Sequence, residues 1–393
     1  MIPPTNPSTL ALQAELTELA AQGLSRRRRV LASPCGRLAT VDGQELINFA
    51  SNDYLGLASN PEIAEALAEG ARQWGAGSGA SHLVSGHLAP HDALEGAISA
   101  FTGFPAALTF STGYLANLAV TPTLAGRGDA VFADKLNHAS LIDAMQLAKV
   151  AGADVRRYPH CDVGALETML AGSRAQRKVI VTDAVFSMDG NLAPLPLLLQ
   201  LAERYDAWLV IDDAHGFGVL GPQGRGSLGH FNLPASPRIL LMGTLGKAAG
   251  VSGAFVAGSA TAIDYLINKS RGYIFTTASS PAIACALEKS LSLIRNGDAM
   301  RDSLFARIRQ LREGLCDLPW PLRASTSAIQ PLIIGDNESC LALSDALRSR
   351  QLWVPAIRPP TVPQGTARLR ISVSAAHTEA DITRLIDALK ELA

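Results

Sequence analysis

Between residues 107 and 258 the chain alternates short apolar runs with helical patterns, and this alternation limits the fold more than any other feature of the sequence. The runs Ala107–Ser111, Ala130–Ala133, Val155–Tyr158, Val179–Val185, Trp208–Asp212, Ile239–Thr244 and Ala254–Gly258 are predicted strands. Helical spacing occupies Tyr114–Leu124, Ser140–Ala151, Val163–Leu170 and Leu195–Tyr205 between them. Near-continuous apolar strands separated by helices make a mostly parallel sheet covered on both faces, an α/β architecture. Burying such a sheet takes abundant apolar sequence, and 48% of the 393 residues are hydrophobic against 18% charged. Ligands of these sheets bind at the carboxyl ends of the strands, so the polar residues there are the ones to read for function.

The flanks carry other patterns. Ser8–Arg29 reads as an amphipathic helix with Leu10, Leu12, Leu16, Leu19 and Leu24 on its apolar side. Gly36–Phe49 reads as a hairpin, with Asp42-Gly43 as its turn. Beyond about residue 290 a long helix over Ser290–Leu315 leads to a strand at Ala328–Ile334 and a helix at Cys340–Arg350. Strands at Trp353–Ile357 and Arg368–Ser374 and a last helix at Glu379–Leu392 complete a small α+β unit. The expected organisation is an N-terminal helix and hairpin over 1–48, a large domain over 49–290 and a small C-terminal domain over 291–393.

Several function classes fall away. A formal net charge of −1 gives no electrostatic footprint for a nucleic acid, and the run Arg26–Arg29 reads as a solvated helix end or a local anion site. Five scattered cysteines without a C-x-x-C pair supply neither a disulfide framework nor a structural zinc site. No apolar run approaches the ~20 residues of a membrane span, and the first residues lack a secretory pattern, so a cytoplasmic protein is expected. The glycine-rich stretch Trp74–His87 follows no strand, which removes the dinucleotide fingerprint. Gly243–Lys247 lacks the first glycine and the Ser or Thr of a phosphate loop.

What remains is a lysine in an unusual place. Lys247 comes directly after the apolar run Ile239–Met242 and a Gly-Thr-Leu-Gly turn, with only Ala248, Ala249 and Gly250 behind it. A lone Gly-Lys pair is compatible with a snorkelling side chain, but an amine held near a core has its charged form disfavoured and can condense with an aldehyde. Other strand ends supply matching groups: Gly113-Tyr114 at a helix start, His138, Ser187, Asp212 with His215, and Thr244. Pyridoxal 5'-phosphate needs this set, namely a lysine, an acid for the ring nitrogen and donors for the phosphate. Asp212 suits the ring nitrogen, His215 the phenolic oxygen and His138 the ring face, with Gly113, Tyr114 and Thr244 for the phosphate. Arg358, in a loop stiffened by Pro359, Pro360 and Pro363, suits a forked contact to a substrate carboxylate.

The segments SNDYLGL (51–57), GSGASHLVSG (77–86), DKLNHASLIDA (134–144), VFSMDG (185–190), DDAHGFGVLG (212–221), GTLGKAAGVSGA (243–254) and TARLRISVSAAHT (366–378) resemble those of the α-oxoamine synthases, over nearly the whole chain. The resemblance implies a fold-type-I pyridoxal-phosphate transferase with a seven-stranded, mostly parallel sheet in its large domain and a small C-terminal α+β domain. It implies a decarboxylative condensation of an amino acid with an acyl thioester, carried by Lys247, His138, Asp212 and His215. Gly113, Tyr114, Ser187, Thr244 and Thr277 are implied around the cofactor, Thr277 reaching the phosphate held by the neighbouring subunit of a homodimer. Arg26, Asn52, Arg358 and Thr361 are implied as substrate contacts, together with His138. The stretch 356–370 is most similar to the branch that joins L-alanine to a pimeloyl thioester, carried by coenzyme A or a carrier protein. Phe217 and Ala248 depart from the family pattern, which commonly has threonine and glycine there; an altered pocket wall is the expected consequence.

Overall fold

The computed structural model describes residues 7–26 and 28–393; Arg27 of the arginine run and the first six residues lie outside the described residues. A hairpin of β1 (Leu38–Val41) and β2 (Gln44–Asn48) precedes the main sheet, and its turn residues Asp42 and Gly43 have φ of 51° and 81°. Positive φ at both central positions is what an Asp-Gly turn supplies.

The seven expected strands all form: β3 (Ala106–Phe110), β4 (Ala130–Asp134), β5 (Asp154–Tyr158), β6 (Lys178–Asp183), β7 (Ala207–Asp212), β8 (Ile239–Thr244) and β9 (Ala254–Gly258). They make one sheet in the order β3-β9-β8-β7-β6-β4-β5, with β9 alone antiparallel to its neighbours. Successive side chains of a strand face opposite ways, so each strand feeds two cores. In β4, Ala130 and Phe132 join one apolar cluster, while Val131 and Ala133 join another on the opposite face. Helices Gly113–Leu124 and Ala139–Val150 cover the second face. The outermost strand β5 exposes Asp154, Arg156 and Arg157, charges that discourage edge pairing.

In the C-terminal part, β10 (Ile329–Gly335), β13 (Ala367–Ser372) and β12 (Ala356–Ile357) form an antiparallel sheet in the order β10-β13-β12. β11 (Leu352–Trp353) instead pairs in parallel with β2, so the N-terminal hairpin is tied to the C-terminal part of the chain. The single strand expected over Trp353–Ile357 is thus two short ones in different sheets, separated at Pro355, which has no N–H for a ladder.

Two other expectations are corrected. The long helix over Ser290–Leu315 is two helices, Pro281–Arg295 and Asp298–Gly314, interrupted at Asn296-Gly297. The first helix spans Pro7–Ala21 rather than Ser8–Arg29 and ends where Gly23 takes φ 64°, with Leu24 N donating to Leu19 O. Glycine at this left-handed position is an ordinary helix stop. Nor does that helix bury a face in the chain: Leu10, Leu12, Leu16 and Leu19 are all exposed. No helix among the described residues is long and apolar enough to cross a membrane.

Candidate active site

Register places the polar strand ends. β6 and β7 pair so that Asp183 stands beside Asp212, and the next chain over ends in Thr244. A cavity of about 200 Å³ opens there, with Lys247, Asp212, His215, His138 and Thr244 in its wall. Gly113, Tyr114 and Ser187 line it as well, so eight residues singled out from the sequence converge on one space. Larger clefts lie elsewhere, one of about 870 Å³ between Ser349–Leu352 and the last helix, but they gather no comparable set of groups.

Lys247 Nζ stands 2.9 Å from His215 Nε2, and burial lowers its amine to about 8. The Asp212 carboxylate opposes that shift and the Arg370 cation adds to it. His215 is held well below the usual imidazole range by burial and by the same two cations, Lys247 and Arg370. Its Nδ1 lies 2.6 Å from the hydroxyl of Tyr54. Asp212 is 4% exposed; its two oxygens accept from Asn117 Nδ2 at 2.7 Å and from Ala214 N at 3.0 Å. Burial pushes Asp183 well above the usual carboxyl range, reinforced by Asp212 beside it, while the backbone N–H of His138 donates to it at 2.7 Å. Burial also lowers His138.

At one end of the cavity the helix Gly113–Leu124 begins. Thr112 caps it, accepting from Leu115 N at 3.1 Å, and the remaining N–H groups of the first turn are free to meet an anion. Tyr114 donates to Asp143 and meets the His138 ring edge-on at 6.4 Å. The donor set therefore fits pyridoxal phosphate: an amine that gives up its proton far more readily than an ordinary lysine, a buried carboxylate and a helix N-terminus around one small space.

The remaining predicted residues lie outside that wall. Asn52 is tied to it through Tyr54, whose hydroxyl donates to Asn52 Oδ1 at 3.0 Å. Arg26 donates to Thr361 at 3.4 Å and lines a separate cleft with Arg358. Arg358 is turned to the carbonyls of Gly23 and Ser25 and is not brought to the Lys247 cavity. Thr277, itself exposed, pairs with Ser81 and is not among the residues of the Lys247 wall. Phe217 and Ala248 do not reshape the wall: each is 1% exposed within the core, Phe217 packed edge-on to Phe101 and Phe255.

Arg370 is the group that the sequence reading missed. Its guanidinium, 5% exposed, donates to Ser187 O at 2.7 Å, Asn52 Oδ1 at 3.1 Å and Ser372 Oγ at 2.8 Å, and Nη2 lies 3.4 Å from the Tyr54 hydroxyl. Arg368, two residues earlier on the same face of β13, is paired with Asp189 at 2.8 Å. Arg370 has no carboxylate partner among the described residues. A buried cation without an anion is costly, and two buried arginines in one strand pattern were the available signal.

Residues 44–389 match the family described as class I and II aminotransferases. The chain belongs to that family. A curated relative named 8-amino-7-oxononanoate synthase, from Dechloromonas aromatica (strain RCB), is 77% identical over 97% of this chain and 99% of its own. Another of the same name from Herminiimonas arsenicoxydans is 60% identical over 96% and 98%. Among solved structures, a serine palmitoyltransferase from S. paucimobilis with PLP and myriocin bound matches with a TM-score of 0.90 at 30% identity, covering 97% of this chain and 96% of that one. The protein is thus a pyridoxal-phosphate transferase of fold type I, an α-oxoamine synthase.

Proposed function

We propose that this α-oxoamine synthase condenses L-alanine with a pimeloyl thioester, releasing carbon dioxide and the thiol and giving 8-amino-7-oxononanoate, a step of biotin biosynthesis. The observation that carries the reading is the convergence of Lys247, Asp212, His215 and His138 on one cavity in a chain 77% identical to a relative of that name.

Bound in the cavity, pyridoxal phosphate supplies an aldehyde that Lys247 engages and a ring that takes up the electrons released at the substrate α-carbon. The chain's residues do the rest. Asp212, held in place by hydrogen bonds from Asn117 Nδ2 and Ala214 N, would hold a proton on the ring nitrogen. His215 faces the phenolic oxygen and keeps the Lys247 amine aimed inward at 2.9 Å. With its amine lowered to about 8, Lys247 takes the α-proton of alanine and later returns one. His138 donates a hydrogen bond to the thioester carbonyl oxygen as the new carbon–carbon bond forms. The helix start at Gly113-Tyr114, Ser187 and Thr244 hold the cofactor, and Thr277 reaches the phosphate in the neighbouring subunit.

For the alanine carboxylate two arginines compete, Arg358 and Arg370. Arg370 with Asn52 is the pair the geometry favours, because it is buried beside Lys247 and lacks an anion. Arg26, Thr361 and Arg358 then line the approach of the acyl chain and its carrier. A homodimer fits the exposed Leu83, Val84 and Phe275, which flank the Ser81–Thr277 contact and would otherwise leave apolar surface in water. The division at residues 48 and 290 remains part of this proposal, although helix Pro281–Arg295 runs across the second boundary.

A substrate matrix tests the reading. Alanine, glycine and serine are each offered with pimeloyl-, acetyl-, succinyl- and palmitoyl-coenzyme A, and product mass and thiol release are recorded. Turnover confined to alanine with the pimeloyl thioester supports the assignment. Preference for glycine or serine assigns the chain to a sibling branch.

A further inference from the structure

Asp212 and His138, both in the wall of the cofactor cavity, are joined by a hydrogen-bond chain that the roles above leave unused. Asn117, on the helix Gly113–Leu124 and 0% exposed, donates from Nδ2 to Asp212 Oδ2 at 2.7 Å and to Ser140 Oγ at 2.9 Å. Ser140, equally buried, has its hydroxyl 2.8 Å from His138 Nδ1, and its backbone N–H donates to the same nitrogen at 3.3 Å.

Chemistry forces the direction of every link. The amide group facing Asp212 is the NH2, which donates to the carboxylate oxygen; the reversed amide would set oxygen against oxygen. The second hydrogen of that NH2 goes to Ser140, whose hydroxyl accepts it and keeps its own hydrogen for His138 Nδ1. That nitrogen receives two donors and carries no proton. The ring proton of His138 is therefore on Nε2, which has no partner among the described residues. Asn117 Oδ1 is buried and unpartnered, a cost that a leucine of similar volume would avoid if the position served packing alone.

We propose that Asn117 is a positioning residue whose single NH2 group holds Asp212 as a hydrogen-bond acceptor and, through Ser140, holds His138 as an Nε2–H donor. One side chain thereby sets the hydrogen-bond polarity of both groups beside the cofactor. The proposal rests on the cofactor reading of the cavity and not on which amino acid or thioester is used.

The test is made on full-length holoenzyme labelled with ¹⁵N-histidine, with His138 assigned by the signals lost in His138→Gln. Wild type is expected to show a proton-free Nδ1 and a protonated Nε2. Ser140→Ala, which removes the 2.8 Å hydroxyl contact and leaves only the longer backbone one at 3.3 Å, is expected to add the Nδ1–H tautomer to the mixture while the pH midpoint of the cofactor's visible absorbance stays in place. Asn117→Leu is expected to mix the tautomers and also move that midpoint by a unit or more, a tenfold change in the ionisation constant. A single unaltered Nε2–H tautomer in Ser140→Ala overturns the relay, and so does an absorbance midpoint that moves equally in both variants. If Asn117→Leu fails to fold, Ser140→Ala alone decides. No alanine or thioester is present, so an unexpected result in the substrate matrix leaves these signals untouched, and failure here leaves the matrix untouched.

Discussion

Replacing Arg370 by methionine separates the two arginines that compete for the amino-acid carboxylate. Methionine fills the volume of the guanidinium stem but removes the cation and its donors to Ser187 O, Asn52 Oδ1 and Ser372 Oγ. A hydrogen bond to a charged group contributes roughly 1.5–3 kcal/mol net, so a forked contact to a carboxylate is worth about 3–6 kcal/mol. At about 1.4 kcal/mol per factor of ten, kcat/KM for L-alanine should fall by about 10²- to 10⁴-fold. KM for the acyl thioester should change little, and the cofactor should still bind, because Arg370 is absent from the wall that holds it. The companion variant Arg358→Met should leave kcat/KM for alanine within about tenfold and raise KM for the thioester, since Arg358 shares its cleft with Arg26. Steady-state kinetics with each substrate varied in turn reads both effects, with a melting curve to confirm that the variants are folded. A folded Arg370→Met enzyme that keeps more than a tenth of wild-type kcat/KM for alanine, while Arg358→Met collapses it, would refute the geometric choice and restore Arg358 as the carboxylate clamp.

Three further outcomes are expected. Lys247→Ala should abolish thiol release from the condensation while the circular dichroism spectrum and melting temperature stay near wild type; appreciable turnover would reject the lysine's role. Pyridoxal phosphate should load onto the cofactor-free protein at a rate that climbs about tenfold per pH unit and levels off near pH 8, because only the unprotonated amine reacts and burial lowers Lys247 to about 8. A rate still climbing at pH 10 would mean an ordinary lysine. His377, stacked on Phe49 at 4.4 Å, is lowered by burial to about 4. The unfolded chain therefore binds a proton that the native state refuses between about pH 6.5 and 4, and stability present above that window is lost as pH falls through it, by about 3 kcal/mol. Urea unfolding at pH 7 and pH 4.5 should show a smaller loss in His377→Gln than in wild type, and equal losses would contradict the shift.

The sequence by itself determined the seven-stranded sheet and eight of the residues around its cavity. Both are local properties. A strand is written as a contiguous apolar run and a helix as spacing within a dozen residues, and in a parallel sheet the polar residues that follow each strand must come to the same edge. Where a local signal was overlooked, as at Gly23 or at Asn296-Gly297, the elements ran too long. Which arginine reaches the site had no local signature. Arg358 and Arg370 are separated by a few residues of one motif, and spacing says nothing of which points to Lys247. The answer came from contacts such as Arg370–Asn52 and Tyr54–His215, 318 and 161 residues apart in the chain. The same holds for Asn117, an unremarked residue of a helix until β7 brings Asp212 to its NH2 group. Only the folded chain decides which distant polar groups share one buried space, because the energy of each such contact exists only once water has been removed from both partners together.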